Sequence, residues 1–466
     1  MTRPNLLLFM PDELRADSLG AFGNPVARTP HLDALAARGT RWTEAYSQHS
    51  VCSQSRVSLF TGWYPHVAGH RTLDNLLKPH EPNLLRSLRE AGYYVAWAGI
   101  RGDTFAPGVT KASTDLHGFA VAPTMLYGSS PYPREHPLSR AFYHGRRDAD
   151  GAVVDLDEAC VQTAEKWLGA GLPEPWALVC ALIFPHPPFE VEEPWFSLHD
   201  RRDMPAPLGL PEAAAPRYMG EIRARYGLDR LDAANWAEIR ATYYGMVSRA
   251  DDHLGRVLRA VERAGMAKRT VTAFCSDHGD YLGDYGLVEK WPSGLHSCLV
   301  RNPLVLAGPG VPEGEERADL VELIDLFATL VELAEAEPRH THFGRSLLTG
   351  APRDAAFSEG GFTVAEEPLL ERADYPYDLK ARLQHEAPET VGKAIALRTE
   401  RWTYVYRLYE GDELYDRATD PGELRNLSGS PETAPIEREL RDRILRWTVE
   451  TADVVPWDPD PRVSLE

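Results

Sequence analysis

A short segment from Cys52 to Arg56, with the sequence CSQSR, places a nucleophilic residue type close to a fixed cation. An apolar run and Gly62 follow the segment, which predicts a short helix that begins near Cys52. The start of a helix presents backbone N–H groups and a positive dipole end, and both favour an anion. The guanidinium group of Arg56 matches a tetrahedral oxyanion. The segment therefore predicts a reactive group beside an anion site, while a buried structural cysteine beside a surface arginine fits the same pattern.

Two acidic clusters directly follow two apolar runs of the chain. Asp12 and Glu13 form the first cluster, and Asp277 and His278 belong to the second. Because ligands bind at the carboxyl ends of the strands in an open parallel sheet, we expect the two clusters to meet. Their carboxylate oxygens and imidazole suit one divalent metal ion, Ca²⁺ or Mn²⁺. Each acidic residue alone could also cap a helix or face solvent, so the hypothesis depends on the joint pattern with Cys52.

Three basic residues are further candidates for the same chemistry. His186 follows another apolar run in a stretch rich in proline, and Lys290 and His296 come shortly after the second acidic cluster. Histidine and lysine are the residue types that protonate a leaving group or hold an anion. Packed loop histidines and a solvated lysine are the alternative interpretations.

The candidate residues depend on an alternation of apolar runs and helical patterns. Uninterrupted apolar runs predict buried strands at residues 5–10, 94–99, 176–184, 270–275 and 303–307. Amphipathic patterns predict helices at residues 29–38 and 81–92, and a long helix capped by Asn235 and ended by Gly265. Strands that alternate with helices predict an α/β fold with a mostly parallel sheet flanked by helices.

The pattern changes near residue 350, which predicts two domains. Residues 1–350 form the catalytic α/β domain in this interpretation, and residues 351–466 form a small C-terminal α+β subdomain. Strands at 394–398, 402–406 and 413–415 and a helix at 432–451 are expected in the second part. Long loops at 123–150 and 192–229 are expected to shape substrate access.

The composition of the chain excludes several classes of partner. The chain has 466 residues and a formal net charge of -19, so its surface repels nucleic acid and anionic membranes, and an anionic ligand needs a local site. Five scattered cysteines predict neither a disulfide framework nor a cysteine metal site. No signal peptide or membrane span is expected, so the predicted location is cytoplasmic. The sequence leaves the oligomeric state open, with a homo-oligomer among the alternatives.

The candidate motifs, in the order in which they occur along the chain, resemble those of the type I sulfatases in the alkaline phosphatase superfamily. The resemblance runs nearly end to end, and it implies an alkaline-phosphatase-like sheet. It rests on the stretches at residues 4–8, 12–17, 29–33, 52–56, 61–66, 276–280, 308–310, 413–416, 420–423 and 426–427.

The resemblance implies a role for each candidate residue. Cys52 would be oxidised to formylglycine by a formylglycine-generating enzyme. One oxygen of the hydrated aldehyde would attack sulfur or phosphorus, and the second hydroxyl would then expel the group and regenerate the aldehyde. The implied catalytic residues are Cys52, Arg56, His186 and Lys290, and the implied metal ligands are Asp12, Glu13, Asp277 and His278.

The chain departs from the family's pattern at three places. Gln54 stands where the modification motif usually has Pro or Ala, which bears on the conversion of Cys52. Glu13 replaces the usual glutamine or aspartate but keeps an oxygen ligand. The lysine and histidine of the family's Gly-Lys-x-His segment are replaced by Ile100 and Gly102.

The replacements at positions 100 and 102 suggest a related branch of the superfamily, and they make other residues candidates for substrate binding. Arg101 or Asp103 could compensate for the missing pair. The phosphonate monoester hydrolases also lack that pair, and they have an asparagine downstream of the cysteine that Asn75 matches. The candidates for substrate binding are therefore Asn75, Arg101 and His296.

The sequence favours a metal-dependent hydrolase of sulfate esters that acts on a small anionic ester. A phosphonate or phosphate mono- or diester hydrolase is the alternative within the same superfamily. Two further interpretations stay open. Cys52 could remain a thiol whose pKa is depressed at the helix start, or the chain could be a non-catalytic binding protein that keeps the fold.

Overall fold

A computed structural model describes residues 3–99, 102–124, 128–148, 154–212, 214–338 and 340–455. Its strands are β1 (Asn5–Asp12), β2 (Thr40–Tyr46), β3 (Tyr94–Ala98), β4 (Leu116–Gly118), β5 (Tyr143–Arg146), β6 (Trp176–Pro185), β7 (Phe189–Val191), β8 (Thr270–Cys275), β9 (Arg301–Ala307), β10 (Glu315–Glu322), β11 (Ala356–Gly360), β12 (Ala394–Arg398), β13 (Trp402–Arg407) and β14 (Glu413–Asp416).

The α-helices lie between and after these strands. They are α1 (Pro30–Ala37), α2 (Cys52–Thr61), α3 (Pro65–Ala68), α4 (Leu84–Glu90), α5 (Val109–Ser113), α6 (Pro137–Arg140), α7 (Leu156–Ala170), α8 (Arg217–Tyr226), α9 (Ala233–Arg263), α10 (Ser297–Val300), α11 (Ile324–Leu333), α12 (Asp378–Glu386) and α13 (Ala434–Glu450). Among the described residues, no helix is long and apolar enough to cross a membrane.

The largest sheet has eight strands in the order β10-β2-β9-β8-β1-β6-β3-β4. Among its described strands, only β9 runs antiparallel to its neighbours, β8 and β2. Strand β1 lies in parallel between β6 and β8. The carboxyl ends of β1, β2, β3, β6 and β8 therefore meet at one edge, which is where ligands bind in such sheets.

Helices cover both faces of this sheet, which explains the uninterrupted apolar runs. Successive residues of β1 alternate between two hydrophobic clusters, because side chains of a strand point to opposite faces. Leu7 and Phe9 pack with the apolar residues of α7 and α9, and Leu6 and Leu8 pack with those of α2, α4 and α11. The sheet is buried throughout β1, β6 and β8.

The C-terminal part forms a second, antiparallel sheet of four strands in the order β11-β12-β13-β14. Helix α13 packs against it, and Trp447 of this helix stacks on Phe357 and contacts Tyr64 of the first part. The mixed α/β architecture confirms the predicted fold. The domain boundary at residue 350 stays a prediction.

The predicted strands and helices are present with small shifts of their ends. The long helix begins at Ala233 rather than near Asn235, because Asp232 is its N-cap and Asn235 completes a capping box. Strands β2 and β10 were not predicted, because their polar and charged residues interrupt the apolar pattern. The two predicted loops hold short elements as well, namely α6 and β5 in the first and α8 in the second.

Two helical glycines provide a matched test of this packing. A β-carbon on Gly245 in α9 would lie 2.6 Å from the backbone oxygen of Trp195, whereas one on exposed Gly220 in α8 would meet nothing within 4 Å. We expect Gly245→Ala to lower the free energy of unfolding by about 1–3 kcal/mol through overpacking. We expect Gly220→Ala to raise it by up to about 1 kcal/mol through helix propensity. Urea titration measures both values, and a stabilising Gly245→Ala would contradict the described packing of α9.

Candidate active site

Cys52 is the first residue of α2, at the carboxyl end of the central sheet. The preceding residue, Val51, has an extended backbone with φ -129° and ψ 144°, and no side chain caps the helix. Gly62 ends the helix in the left-handed region with φ 72°, which favours glycine. The predicted short helix is thus confirmed, and Cys52 lies at its positive end with only 4% of its surface exposed.

Arg56 lies one turn after Cys52 and contacts acidic residues at the ends of β1 and β8. Its Nε donates to Oδ2 of Asp277 at 2.7 Å, and its Nη2 donates to Oδ2 of Asp12 at 3.0 Å. The carboxylate of Asp103 lies 3.5 Å from Nε. Since Arg56 is completely buried, these carboxylates balance its charge and hold it in place. Arg56 therefore orients the acidic residues directly.

Cys52 belongs to a compact group with the two acidic clusters. Its Sγ lies 3.1 Å from Nε2 of His278 and 3.6 Å from Oδ1 of Asp12. One ligand atom from each of Asp12, Cys52, Asp277 and His278 lies within 4.8 Å of the others. Nδ1 of His278 donates to the carbonyl of Gly279 at 2.9 Å, which leaves the Nε2 lone pair directed at the group. A divalent cation fits this group, because it contains two carboxylates, one imidazole and the side chain at position 52.

The thiol of Cys52 is not activated by its surroundings. Burial, reinforced by the negative charge of Asp12, raises the pKa of this thiol well above its ordinary value, although Lys290 opposes the shift. The direction of this shift is opposite to the depressed thiol pKa expected at the helix start, because Arg56 donates to carboxylates and Oδ1 of Asp12 lies 3.6 Å from Sγ.

Glu13 lies in a second group, on the other side of Asp12. One ligand atom from each of Asp12, Glu13 and His186 lies within 4.8 Å of the others. The Glu13 carboxylate accepts from Nζ of Lys290 at 2.7 Å, while its backbone N–H donates to Oδ1 of Asp277 at 3.1 Å. Burial raises the pKa of Glu13, and Lys290 opposes that shift. Cys52, and not Glu13, is therefore the fourth residue of the group that contains Asp12, Asp277 and His278. Metal binding by Glu13 stays a prediction.

Lys290 and His186 form a basic pair beside Glu13. Nζ of Lys290 donates to Nε2 of His186 at 3.1 Å, and Nδ1 of His186 donates to the carbonyl of Pro187 at 2.6 Å. The end of β6 is held by Asp157 of α7, whose carboxylate accepts from the backbone of Ile183 and Phe184 just before His186. The pair therefore has a defined position at the edge of the sheet.

A cavity of about 370 Å³ opens above Cys52. His186 and Lys290 line it on the side of the central sheet. Its other walls include Leu73 and Asp74, and Glu371, Tyr377 and Lys380 from the C-terminal part. No described residue of 123–150 or 192–229 lines this cavity, and the influence of those loops on substrate access stays a prediction. Helix α12 packs over the site.

The three predicted substrate-binding residues have different positions. Asn75 is exposed, and its Oδ1 accepts from Oγ1 of Thr72 at 2.9 Å. His296 is buried, lies 3.8 Å from Glu413, and does not line the cavity over Cys52. Aromatic rings of the two parts of the chain surround it, which is typical of a structural histidine. Arg101 lies outside the described residues. Substrate binding by the three residues stays a prediction.

Sequence reasoning missed several charged residues of the site, among them Glu289 and Lys380. Glu289 directly precedes Lys290 and lies 2.6 Å from its Nζ, and Lys380 reaches the same carboxylate from α12. The neighbouring position of Glu289 in the sequence was a visible signal. Lys380 had none, because α12 lies far along the chain and only the docking of the C-terminal part brings it to the site.

Comparisons with known proteins agree with this geometry. The family model described as Sulfatase matches residues 4–336. The chain is 28% identical to a multifunctional alkaline phosphatase superfamily protein, PehA, of Trinickia caryophylli, over 97% of this chain and 96% of the relative. It is 25% identical to a choline-sulfatase of Rhizobium meliloti, over 97% and 88% of the two chains.

Solved structures share the fold along nearly the whole chain. The phosphonate monoester hydrolase of Agrobacterium radiobacter has a TM-score of 0.74 at 24% identity, with 96% of each chain covered. The phosphonate monoester hydrolase of Silicibacter pomeroyi has a TM-score of 0.76 at 23% identity, also with 96% of each chain covered. The family model covers more than half of the chain. The chain therefore belongs to the Sulfatase family, the sulfuric ester hydrolases of the alkaline phosphatase superfamily.

Proposed function

We propose that this enzyme hydrolyses sulfate esters of small organic molecules, with a nucleophile derived from Cys52 and one divalent cation, Ca²⁺ or Mn²⁺. The observation that carries the proposal is the contact of Cys52 Sγ with His278 and Asp12 at the base of the cavity. A reactive atom, a set of cation ligands and a basic pair thus share one small space.

Asp12, Asp277 and His278 would hold the cation together with residue 52. A bound cation would supply positive charge that polarises the ester oxygens and lowers the pKa of the nucleophile. The role of Arg56 is to hold Asp12 and Asp277 pointed at one place, through its hydrogen bonds of 3.0 and 2.7 Å. The buried guanidinium also limits repulsion between the two carboxylates before a cation binds.

Oxidation of Cys52 would replace the thiol by an aldehyde, whose hydrate supplies a hydroxyl nucleophile. Gln54, two residues later, is buried, and its amide donates to the carbonyl of Arg71 at 3.0 Å. This side chain is packed within the fold and leaves the cavity side of Cys52 open to substrate.

Lys290 and His186 would serve the leaving group. Cleavage of the sulfur–oxygen bond leaves negative charge on the departing oxygen, which needs a proton or a close cation. Lys290 carries three N–H donors, and both it and His186 line the cavity. The pair can therefore hold the ester oxygen and pass a proton to it.

Hydrolysis of phosphonate or phosphate esters is the second candidate. Ile100 and Gly102 stand where sulfatases usually have lysine and histidine, which favours the related phosphonate monoester hydrolases. Sulfate and phosphonate monoesters carry similar charge, and the site could accept either. The non-catalytic interpretation predicts that metal-loaded protein turns over neither ester.

The first test compares an aryl sulfate with the aryl phosphonate that has the same leaving group. We expect a higher kcat/KM for the sulfate, because the family model described as Sulfatase matches residues 4–336. Steady-state kinetics on both esters with Ca²⁺ or Mn²⁺ measures the ratio. Turnover of the phosphonate alone would contradict the leading proposal and support the second candidate.

The second test concerns the chemical state of Cys52. We expect mass spectrometry of the peptide that contains Cys52, taken from protein of the natural source, to show the aldehyde. Cys52→Ala should reduce kcat roughly a thousandfold or more, because the nucleophile is lost. The control is Cys298→Ala, at a half-buried cysteine outside the site. A fully active preparation with an unmodified Cys52 thiol would rule out the aldehyde mechanism.

The third test concerns the cation. We expect added Mn²⁺ or Ca²⁺ to raise the Tm of chelator-treated protein, since a ligand at a hundred times its Kd stabilises the fold by about 2.7 kcal/mol. His278→Ala should abolish this shift, while His80→Ala at an exposed histidine should preserve it. Differential scanning fluorimetry measures the shifts. An equal shift in His278→Ala would show that the cation binds elsewhere.

A further inference from the structure

Lys380 of α12 reaches into the active site from the C-terminal part of the chain. Its side chain is 7% exposed, and its Nζ donates to the carbonyl of Lys290 at 2.6 Å and to that of Val288 at 3.4 Å. The same ammonium group forms a short ion pair with the Glu289 carboxylate. One buried cation thus binds three consecutive residues, the last of which carries the proposed leaving-group acid.

Glu289 lies between two ammonium groups. One of its oxygens is 2.6 Å from Nζ of Lys290, and the other accepts from Lys380. Burial alone would raise the pKa of Glu289, but Lys290 and Lys380 hold it below its ordinary value, so the carboxylate is charged. Without Lys380, Lys290 would be the main cation balancing this buried charge among the described residues.

The backbone at Glu289 adds a constraint. Its φ of 64° lies in the left-handed region, which is uncommon for a glutamate. Its N–H donates to Oδ1 of Asp280 at 2.9 Å, and the carbonyls on either side bind Lys380. Such a conformation persists only when the surrounding contacts hold it. Lys380 is therefore one of the contacts that determine where the Lys290 side chain begins.

The contacts of the Lys290 ammonium group depend on the charge balance at Glu289. Nζ of Lys290 lies 2.7 Å from Glu13, 3.1 Å from His186 and 2.6 Å from Glu289, and the residue also lines the cavity. If Glu289 lost its second cation, the Lys290 ammonium would be drawn towards it and away from the cavity. Small displacements of a catalytic group cost large factors in rate.

We propose that Lys380 is a positioning residue for Lys290, which neutralises Glu289 and fixes the backbone at residues 288–290 so that the Lys290 ammonium faces the leaving group. This inference rests on the proposed role of Lys290. It makes the C-terminal part necessary for catalysis, because α12 supplies a charge that the central sheet lacks at this point.

The test uses Lys380→Met with a series of aryl sulfates whose leaving groups become progressively more basic. We expect kcat to fall roughly tenfold or more for the most basic leaving group and little for the least basic, because only the former needs the acid. KM should change little along the series. Arg382→Met, an exposed cation on the same helix, is the matched control and should leave all rates unchanged. A uniform loss across the series would indicate a merely structural role and overturn the inference.

Lys290→Met separates this inference from the proposed function. If Lys290→Met shows no dependence on the leaving group, the proposed role of Lys290 fails. If Lys290→Met shows the dependence and folded Lys380→Met does not, only the positioning role fails.

A charge-balanced variant covers the case in which Lys380→Met does not fold. Glu289→Gln with Lys380→Met removes both the carboxylate and its second cation. We expect this double variant to fold and to recover rates on the basic leaving groups. Rates as low as those of Lys290→Met in the folded double variant would overturn the neutralising role of Lys380.

Discussion

The buried interaction of Arg56 with Asp12 and Asp277 is the constraint on which the rest of the site depends. These carboxylates end two neighbouring strands, and the guanidinium reaches both from the first turns of α2. A buried charge without partners would cost several kcal/mol, so the three groups specify one another's positions. Because Cys52 begins the same helix, the interaction also fixes the distance between the reactive position and the acidic ends of the strands.

A second layer of charge surrounds this centre and alternates in sign. Lys290 lies between Glu13 and Glu289, and Lys380 lies on the far side of Glu289. Each buried charge therefore has an opposite partner, which reduces the desolvation cost of the layer. The chain as a whole carries a formal net charge of -19, and Lys290 and Lys380 place positive charge at the cavity.

The two parts of the chain have different tasks at the site. The parallel sheet brings together strand ends that are distant in sequence, and it holds the proposed nucleophile and the proposed cation ligands. The C-terminal part packs over this edge through Trp447 and α12 and forms a wall of the cavity with residues such as Glu371 and Tyr377. Substrate selectivity within a shared fold is thus expected to depend on the covering part, because the chemistry at the sheet edge is common to sulfate and phosphonate esters.

The sequence by itself predicted β1, β3, β6, β8 and β9 of the large sheet, several of the helices, and the main chemical groups. Uninterrupted apolar runs predicted β1, β6 and β8, and the polar residues after them predicted Asp12, His186 and Asp277 as functional, because hydrophobic periodicity is a local property of the chain. Only the tertiary structure decided that Cys52 joins Asp12, Asp277 and His278, that Glu13 pairs with Lys290, and that His296 lies among aromatic rings outside the cavity. It also decided that α12 covers the site and delivers Lys380. The physical reason is that strand order and docking depend on contacts between residues far apart in sequence, which no local pattern encodes.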